Sequence, residues 1–79
     1  MLRIGPFRVV VYPNDHRPAH VHVIGNGWEA VFNLNCPDGV PELRENFGFS
    51  QPELTQLQQE LKANQGKLCE EWRKIHGQP

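Results

Sequence analysis

Asn26-Gly27 stands between two strictly alternating runs, Ala19-His20-Val21-His22-Val23-Ile24 and Trp28-Glu29-Ala30-Val31-Phe32-Asn33-Leu34. Alternation with period two is the mark of a strand with one buried face. Asn-Gly is the favoured pair for a two-residue type I′ hairpin, because both central residues need positive φ. A two-residue loop sets Gly25 opposite Trp28, Val23 opposite Ala30 and Val21 opposite Phe32. Apolar side chains then meet on one face. A slip of one residue would turn a whole strand over and set Val23 against Glu29, so this register is the consistent one. The other face receives His20 opposite Asn33, His22 opposite Val31 and Ile24 opposite Glu29. Glu29 is also a diagonal neighbour of His22.

The remaining elements follow from local signals. Phe7 to Tyr12 is β-branched and aromatic and reads as a strand, ended by Pro13-Asn14-Asp15. Val40 to Arg44 reads as a short edge strand, since Pro41 cannot donate to a ladder. Ser50 with Glu53 forms a capping box, Phe49 can staple to Leu54, and Pro52 sits harmlessly in the first turn. Leu54, Leu57, Leu61, Leu68, Trp72 and Ile75 then form one apolar stripe, with Asn64 or Gln65 filling its gap. Arg73, Lys74 and His76 suit the helix C-terminus, Glu70 and Lys74 are spaced to pair, and Gly77 can end the helix. The expected fold is α+β, a small curled antiparallel sheet of three to four strands packed on one long C-terminal helix. Residues 1–79 form a single domain, with the sheet in 1–45 and the helix in 50–77.

An unbroken helix from Gln51 to His76 would be ~39 Å long, whereas a chain of this size has a diameter of roughly 30 Å. Either the helix bends near Asn64-Gln65-Gly66, or its distal half, with Leu68, Trp72 and Ile75, packs on a second molecule. A homodimer or a small protein partner on that half is the expectation.

Eight Lys plus Arg against nine Asp plus Glu leave a net charge of −1. That balance does not point to nucleic acid, although a local basic patch stays open. No apolar run approaches the roughly 20 residues of a membrane span, and the first residues lack a signal peptide's apolar stretch. A soluble, cytoplasmic protein is expected, with no membrane partner. Cys36 and Cys69 belong to no Cys-x-x-Cys pair and are expected to be unpaired thiols, with one disulfide, or a thiol ligand added to the histidines, as the alternatives.

Chemistry gathers at Asn14 to Val23, which holds three of the four histidines. His20 and His22, two apart on a strand, project from one face. With His16 or Asp15 folded back over them, and Glu29 near, they can hold zinc or another divalent ion, His16, His20 and His22 being the candidate ligands. Without metal, the imidazoles and a carboxylate suit general acid–base catalysis, with Arg8 or Arg17 holding a phosphate. Asp15, His16, His20 and His22 are then the candidate catalytic groups, and Arg17, Glu29 and Asn33 the binding ones. The plainer alternative is a solvated or partner-covered face whose histidines bond to Asp15, Glu29 or backbone. Trp28 and Phe32 are expected in the core, and Trp72 in packing or an interface.

Tyr12-Pro-Asn-Asp-His-Arg-Pro-Ala-His-Val-His-Val23, the Gly-Asn-Gly hairpin, Pro41-Glu-Leu-Arg-Glu-Asn-Phe-Gly-Phe-Ser-Gln-Pro-Glu-Leu54 and a helix carrying Glu70-Glu-Trp72 resemble the small bacterial domain-of-unknown-function 4160 proteins. The resemblance runs from about Phe7 to Gly77. Ala19 stands where those proteins typically carry a second proline. The family has no established activity. Its members are often encoded beside another small protein, which implies a toxin–antitoxin-like pair. The resemblance implies a partner-binding component of such a two-gene module, with Asp15, His16, His20 and His22 as its functional residues. The alternatives are a small hydrolase, a ribonuclease among them, that uses the histidines with or without metal, and a metal-binding module without catalysis.

Overall fold

A computed structural model describes residues 2–77. Five strands precede two helices: β1 Leu2–Ile4, β2 Phe7–Val10, β3 His20–Gly25, β4 Trp28–Asn33, β5 Glu42–Phe47, α1 Gln51–Ala63 and α2 Gln65–His76. The strands form one antiparallel meander in the order β1-β2-β3-β4-β5. The architecture is α+β, as expected, with a sheet larger than the expected three to four strands. The addition is β1, whose Leu2 and Ile4 pair with Val9 and Phe7 across a turn at Pro6. Its run of three residues is too short to show a period.

The β3–β4 hairpin has the register that Asn26-Gly27 imposes. Gly25 faces Trp28, Val23 faces Ala30, Val21 faces Phe32 and His20 faces Asn33, with Gly27 at φ 79°. Val9, Val21, Val23, Ala30 and Phe32 lie on the inner face and are buried with Leu54, Leu57, Leu61, Leu68 and Trp72 in one core cluster. The opposite, outer face carries Val10, His22, Val31 and Glu45 in one row, with His20, Asn33 and Glu42 in the next. β5 begins and ends later than the expected Val40 to Arg44. A bulge between Val31 and Phe32 leaves Arg44 without a partner of its own, which keeps Leu43 and Asn46 on the inner side and carries the pairing on to Phe47. Trp28 is only partly covered. It packs against Phe7 and Phe49 at the end of the sheet and stays 39% exposed.

The single long helix is replaced by two. The capping box forms as expected, with Ser50 Oγ accepting from Glu53 N and the Glu53 carboxylate from Ser50 N. Asn64 then leaves helical geometry, at φ −110° and ψ 14°. The break has a tertiary cause. Gln65, buried in the gap of the apolar stripe, donates from Nε2 to the carbonyls of Leu34 (2.6 Å) and Gly39 (2.6 Å). Lys62 donates to Gln65 Oε1 and to the carbonyls of Asp38 and Gly39. These bonds pull the helix down onto the 34–39 loop, where a straight helix would pass over it. The molecule is 32 Å in its longest direction, shorter than the ~39 Å of an unbroken helix. Leu68 and Trp72 are therefore buried by the chain's own sheet. Of the three distal residues expected at a partner surface, only Ile75 remains exposed in the single chain.

The cysteines also depart from expectation. Cys36 and Cys69 form a disulfide, with their Cα atoms 5.9 Å apart. Their separation of 33 positions concealed the pairing. Only the break at Asn64 turns α2 back over the loop that carries Cys36. Glu70 pairs with Arg73 one turn on, in place of Lys74. Gly77 ends α2 at φ 89°. No helix among the described residues is long and apolar enough to cross a membrane.

Candidate metal centre

The outer face is polar where β3 begins, because the alternation that sends Val21 and Val23 inward sends His20 and His22 outward. The 11–19 connection returns over this end of the sheet. A tight turn holds it, in which Asp15 N donates to the Tyr12 carbonyl (3.1 Å) and Tyr12 N donates to Asp15 Oδ2 (3.1 Å). The Asp15 carboxylate thereby lies against both imidazoles. His22 Nε2 is 3.2 Å from Oδ2 and His20 Nε2 is 3.5 Å from it.

The other ring nitrogens are already engaged. His20 Nδ1 is 2.8 Å from the Pro18 carbonyl. His22 Nδ1 is 2.9 Å from Glu29 Oε2. Both partners are oxygens that only accept, so both Nδ1 atoms carry the proton and donate. In the neutral rings, each Nε2 is then a bare lone pair facing a carboxylate. Three acceptors that converge in this way need a cation between them, either protons on the rings or a metal ion.

The dimensions suit a metal ion. One donor atom from each of Asp15, His20 and His22 lies within 4.8 Å of the others. Ligands of a tetrahedral zinc, with bonds of ~2.0–2.2 Å, sit about 3.4 Å apart. The Asp15 contacts match that separation, and the imidazoles need only a small movement. Their Nδ1–H bonds to a carbonyl and a carboxylate are the usual means of holding a ligating histidine in one tautomer and orientation.

The walls of the site come from farther away. The β2–β3 ladder stops at Val10↔His22, so no strand covers β3 beside His20. The fully buried Trp72 ring fills that place, 5.3 Å from the His20 ring. The His76 ring stacks on Trp72 at 4.0 Å and its Nε2 lies 3.1 Å from the Tyr12 carbonyl. The Tyr12 ring leans on His22 at 4.8 Å. His20 is buried, while His22 and Asp15 are partly open. Burial pushes the Asp15 carboxyl up, but the Tyr12 N–H bond and the neighbouring His22 and His20 outweigh it, and the group is held below the usual carboxylate range.

Of the residues singled out from sequence, Asp15, His20 and His22 come together. His16 is exposed and contributes no donor to the group. Glu29 orients His22 through Nδ1. Asn33 lies beside His20, its Oδ1 buried and without a hydrogen-bond partner. Arg17 is exposed. The expectation that the histidines face wholly away from the helix is corrected for His20, which Trp72 covers. Tyr12, Pro18, Trp72 and His76 were missed. A proline two residues before a histidine signals little, and Trp72 and His76 are more than fifty positions from His20.

A β meander on two helices, with an aspartate and two histidines converging at one end, defines a small α+β protein with a candidate metal centre. The chain belongs to the family described as a domain of unknown function (DUF4160), whose model matches residues 7–73 and so includes Asp15, His20, His22 and Trp72. No curated protein and no solved structure matches it.

Proposed function

We propose that this chain is a divalent-metal protein whose ion, zinc by donor type, is held by Asp15 Oδ and the Nε2 atoms of His20 and His22. The observation that carries the reading is the commitment of both Nδ1–H groups to Pro18 and Glu29, which leaves two lone pairs and a carboxylate aimed at one point. Three protein ligands leave a tetrahedral ion one open position, the arrangement of catalytic rather than structural zinc. The reaction class this supports is hydrolysis, in which the ion would lower the pKa of a bound water. Asn33, opposite His20 in the sheet, carries a partner-free Oδ1 that would serve as an acceptor for a water at the site. Titration of the full chain with zinc tests the reading. One ion per chain is expected, with Asp15→Asn and His22→Gln each weakening binding by at least about tenfold. Absence of zinc binding by the wild-type chain would sink it, leaving the cluster as a protonated His–Asp ion pair.

A second reading, a partner-binding component of a toxin–antitoxin-like two-gene module, is favoured by a different observation. All six residues of β5 are exposed, and Val40, Leu43 on the inner side and Phe47 on the outer side leave apolar side chains uncovered along this sheet edge, at 61%, 41% and 60% exposure. On this reading a partner, or a second copy of the chain, adds to that edge. Ile75 is a poorer anchor because its neighbours Leu68 and Trp72 are buried. Co-purification with the product of the adjacent gene, lost in Leu43→Ser/Phe47→Ser, tests it. A cytoplasmic location belongs to the same proposal. That location requires the Cys36–Cys69 bond to be reduced in cells, since a reducing cytosol disfavours a standing disulfide, and rapid thiol trapping that finds the bond intact overturns it.

A further inference from the structure

We propose that Arg3 and Arg8 form a phosphate-binding subsite beside the metal centre, so that the ligand of that centre is a small phosphate ester. The inference rests on the metal reading above and adds the class of ligand. Arg3 and Arg8 face each other directly across the β1–β2 pair. Like charges in opposite positions of an antiparallel pair are destabilising. Among the described residues no carboxylate lies within ion-pair distance of either guanidinium. The nearest acid in their row is Glu29, two strands away from Arg8 across Ile24 and bonded to His22. The two arginines line one open concavity with Pro6, Ile24, Gly25 and Asn26. Arg8 projects from the same outer face as His22 and is its diagonal neighbour, because Arg8 pairs with Ile24 and Val10 with His22. Diagonal positions are ~7–8 Å apart between Cα atoms; the ion lies beyond the His22 ring, on its Nε2 side, so an extended Arg8 and one tetrahedral anion together must span from the Ile24 row to that side.

The rest of the face sets the size of the ligand. Arginines occupy its β1–β2 side, whereas Glu29, Glu42 and Glu45 occupy its β4–β5 side. A long polyanion laid across the sheet would run from cations onto carboxylates. On this proposal a single phosphate group avoids those carboxylates, meeting Arg3 and Arg8 on one side and the ion on the other, where the ion's charge offsets Asp15. Guanidinium groups suit this task because they present paired donors to phosphate oxygens.

The test uses the full chain with and without bound zinc, titrated with phenyl phosphate and, separately, with a short single-stranded oligonucleotide. Binding is followed by NMR shifts of the arginine side chains and of the Ile24 amide. Phenyl phosphate is expected to bind the zinc form more tightly. Arg3→Gln/Arg8→Gln should lose about tenfold or more in phosphate affinity with zinc affinity unchanged, and Arg3→Lys/Arg8→Lys should retain part of it. Phosphate binding that is absent, or equal in wild type and the Gln variant, overturns the subsite. Preference for the oligonucleotide with steep salt dependence overturns the choice of a single phosphate group. Zinc binding without phosphate binding removes this inference alone. Phosphate binding that depends on the arginines in a chain that binds no zinc removes the metal reading and keeps the anion site.

Discussion

Asp15 lies between two imidazoles whose far nitrogens are spoken for, and its own Oδ2 accepts from Tyr12 N. That arrangement has a pH consequence even without metal. The Asp15 carboxyl is held below its ordinary value. A carboxyl with a depressed folded-state pKa binds fewer protons folded than unfolded. Its stabilisation is present above the unfolded value of ~3.9 and is lost as pH falls through the folded one. Asp15→Asn should therefore flatten the acid limb of stability below about pH 4, read as a smaller drop in melting temperature between neutral and acid pH than in wild type. An unchanged acid limb would show that Asp15 gains nothing from its partners. Glu29 acts on the ion at one remove, since it only orients His22. Glu29→Gln preserves an acceptor for Nδ1–H and removes the charge. Zinc affinity should fall about 10–100-fold with stability little altered, and isothermal titration beside thermal melts checks both.

At the scale of elements, the break between α1 and α2 makes the site possible. Without it α2 would run past the sheet, and Trp72 and His76 would not reach His20 and Tyr12. Gln65 is the residue that enforces the break, because it supplies the donors for the Leu34 and Gly39 carbonyls. Gln65→Ala leaves the buried Leu34 carbonyl unsatisfied, while Gly39 keeps its bond from Lys62, at a cost of about 1–3 kcal/mol. Urea unfolding measures the loss, and a loss under half a kcal/mol would mean that water replaces the amide. Gln65→Leu fills the gap in the stripe and should be no better, since the lost group is polar.

For the molecule as a whole, the disulfide ties the 34–41 connection to α2. Closing a loop of this length is worth roughly 3–4 kcal/mol by restriction of the unfolded chain, a large share of what a domain of this size retains. Cys36→Ser/Cys69→Ser should lower the unfolding free energy by that amount. Because Trp72 is one turn beyond Cys69 on α2, zinc affinity should also fall in the double variant. Equal stability of variant and wild type under non-reducing conditions would show that the bond adds no constraint.

The β3–β4 register and the Ser50–Glu53 cap were legible because each is decided within a few residues. Positive φ at a two-residue turn, side-chain alternation and a hydroxyl three positions from an amide are local matters. From them the chain itself determined that His20, His22, Glu29 and Asn33 share a face with the valines turned inward. The rest of the site depends on contacts between residues far apart in the chain. The place of Asp15 depends on how the 11–19 connection lies over the sheet, the burial of His20 on Trp72, and the Cys36–Cys69 bond on where α2 turns. Asn64-Gln65-Gly66 was legible as a place for a bend, but no local pattern records that the helix breaks there to satisfy the carbonyls of a distant loop. Packing alone decided that His16, the exposed one of the clustered histidines, stays out of the centre and that Asp15 enters it.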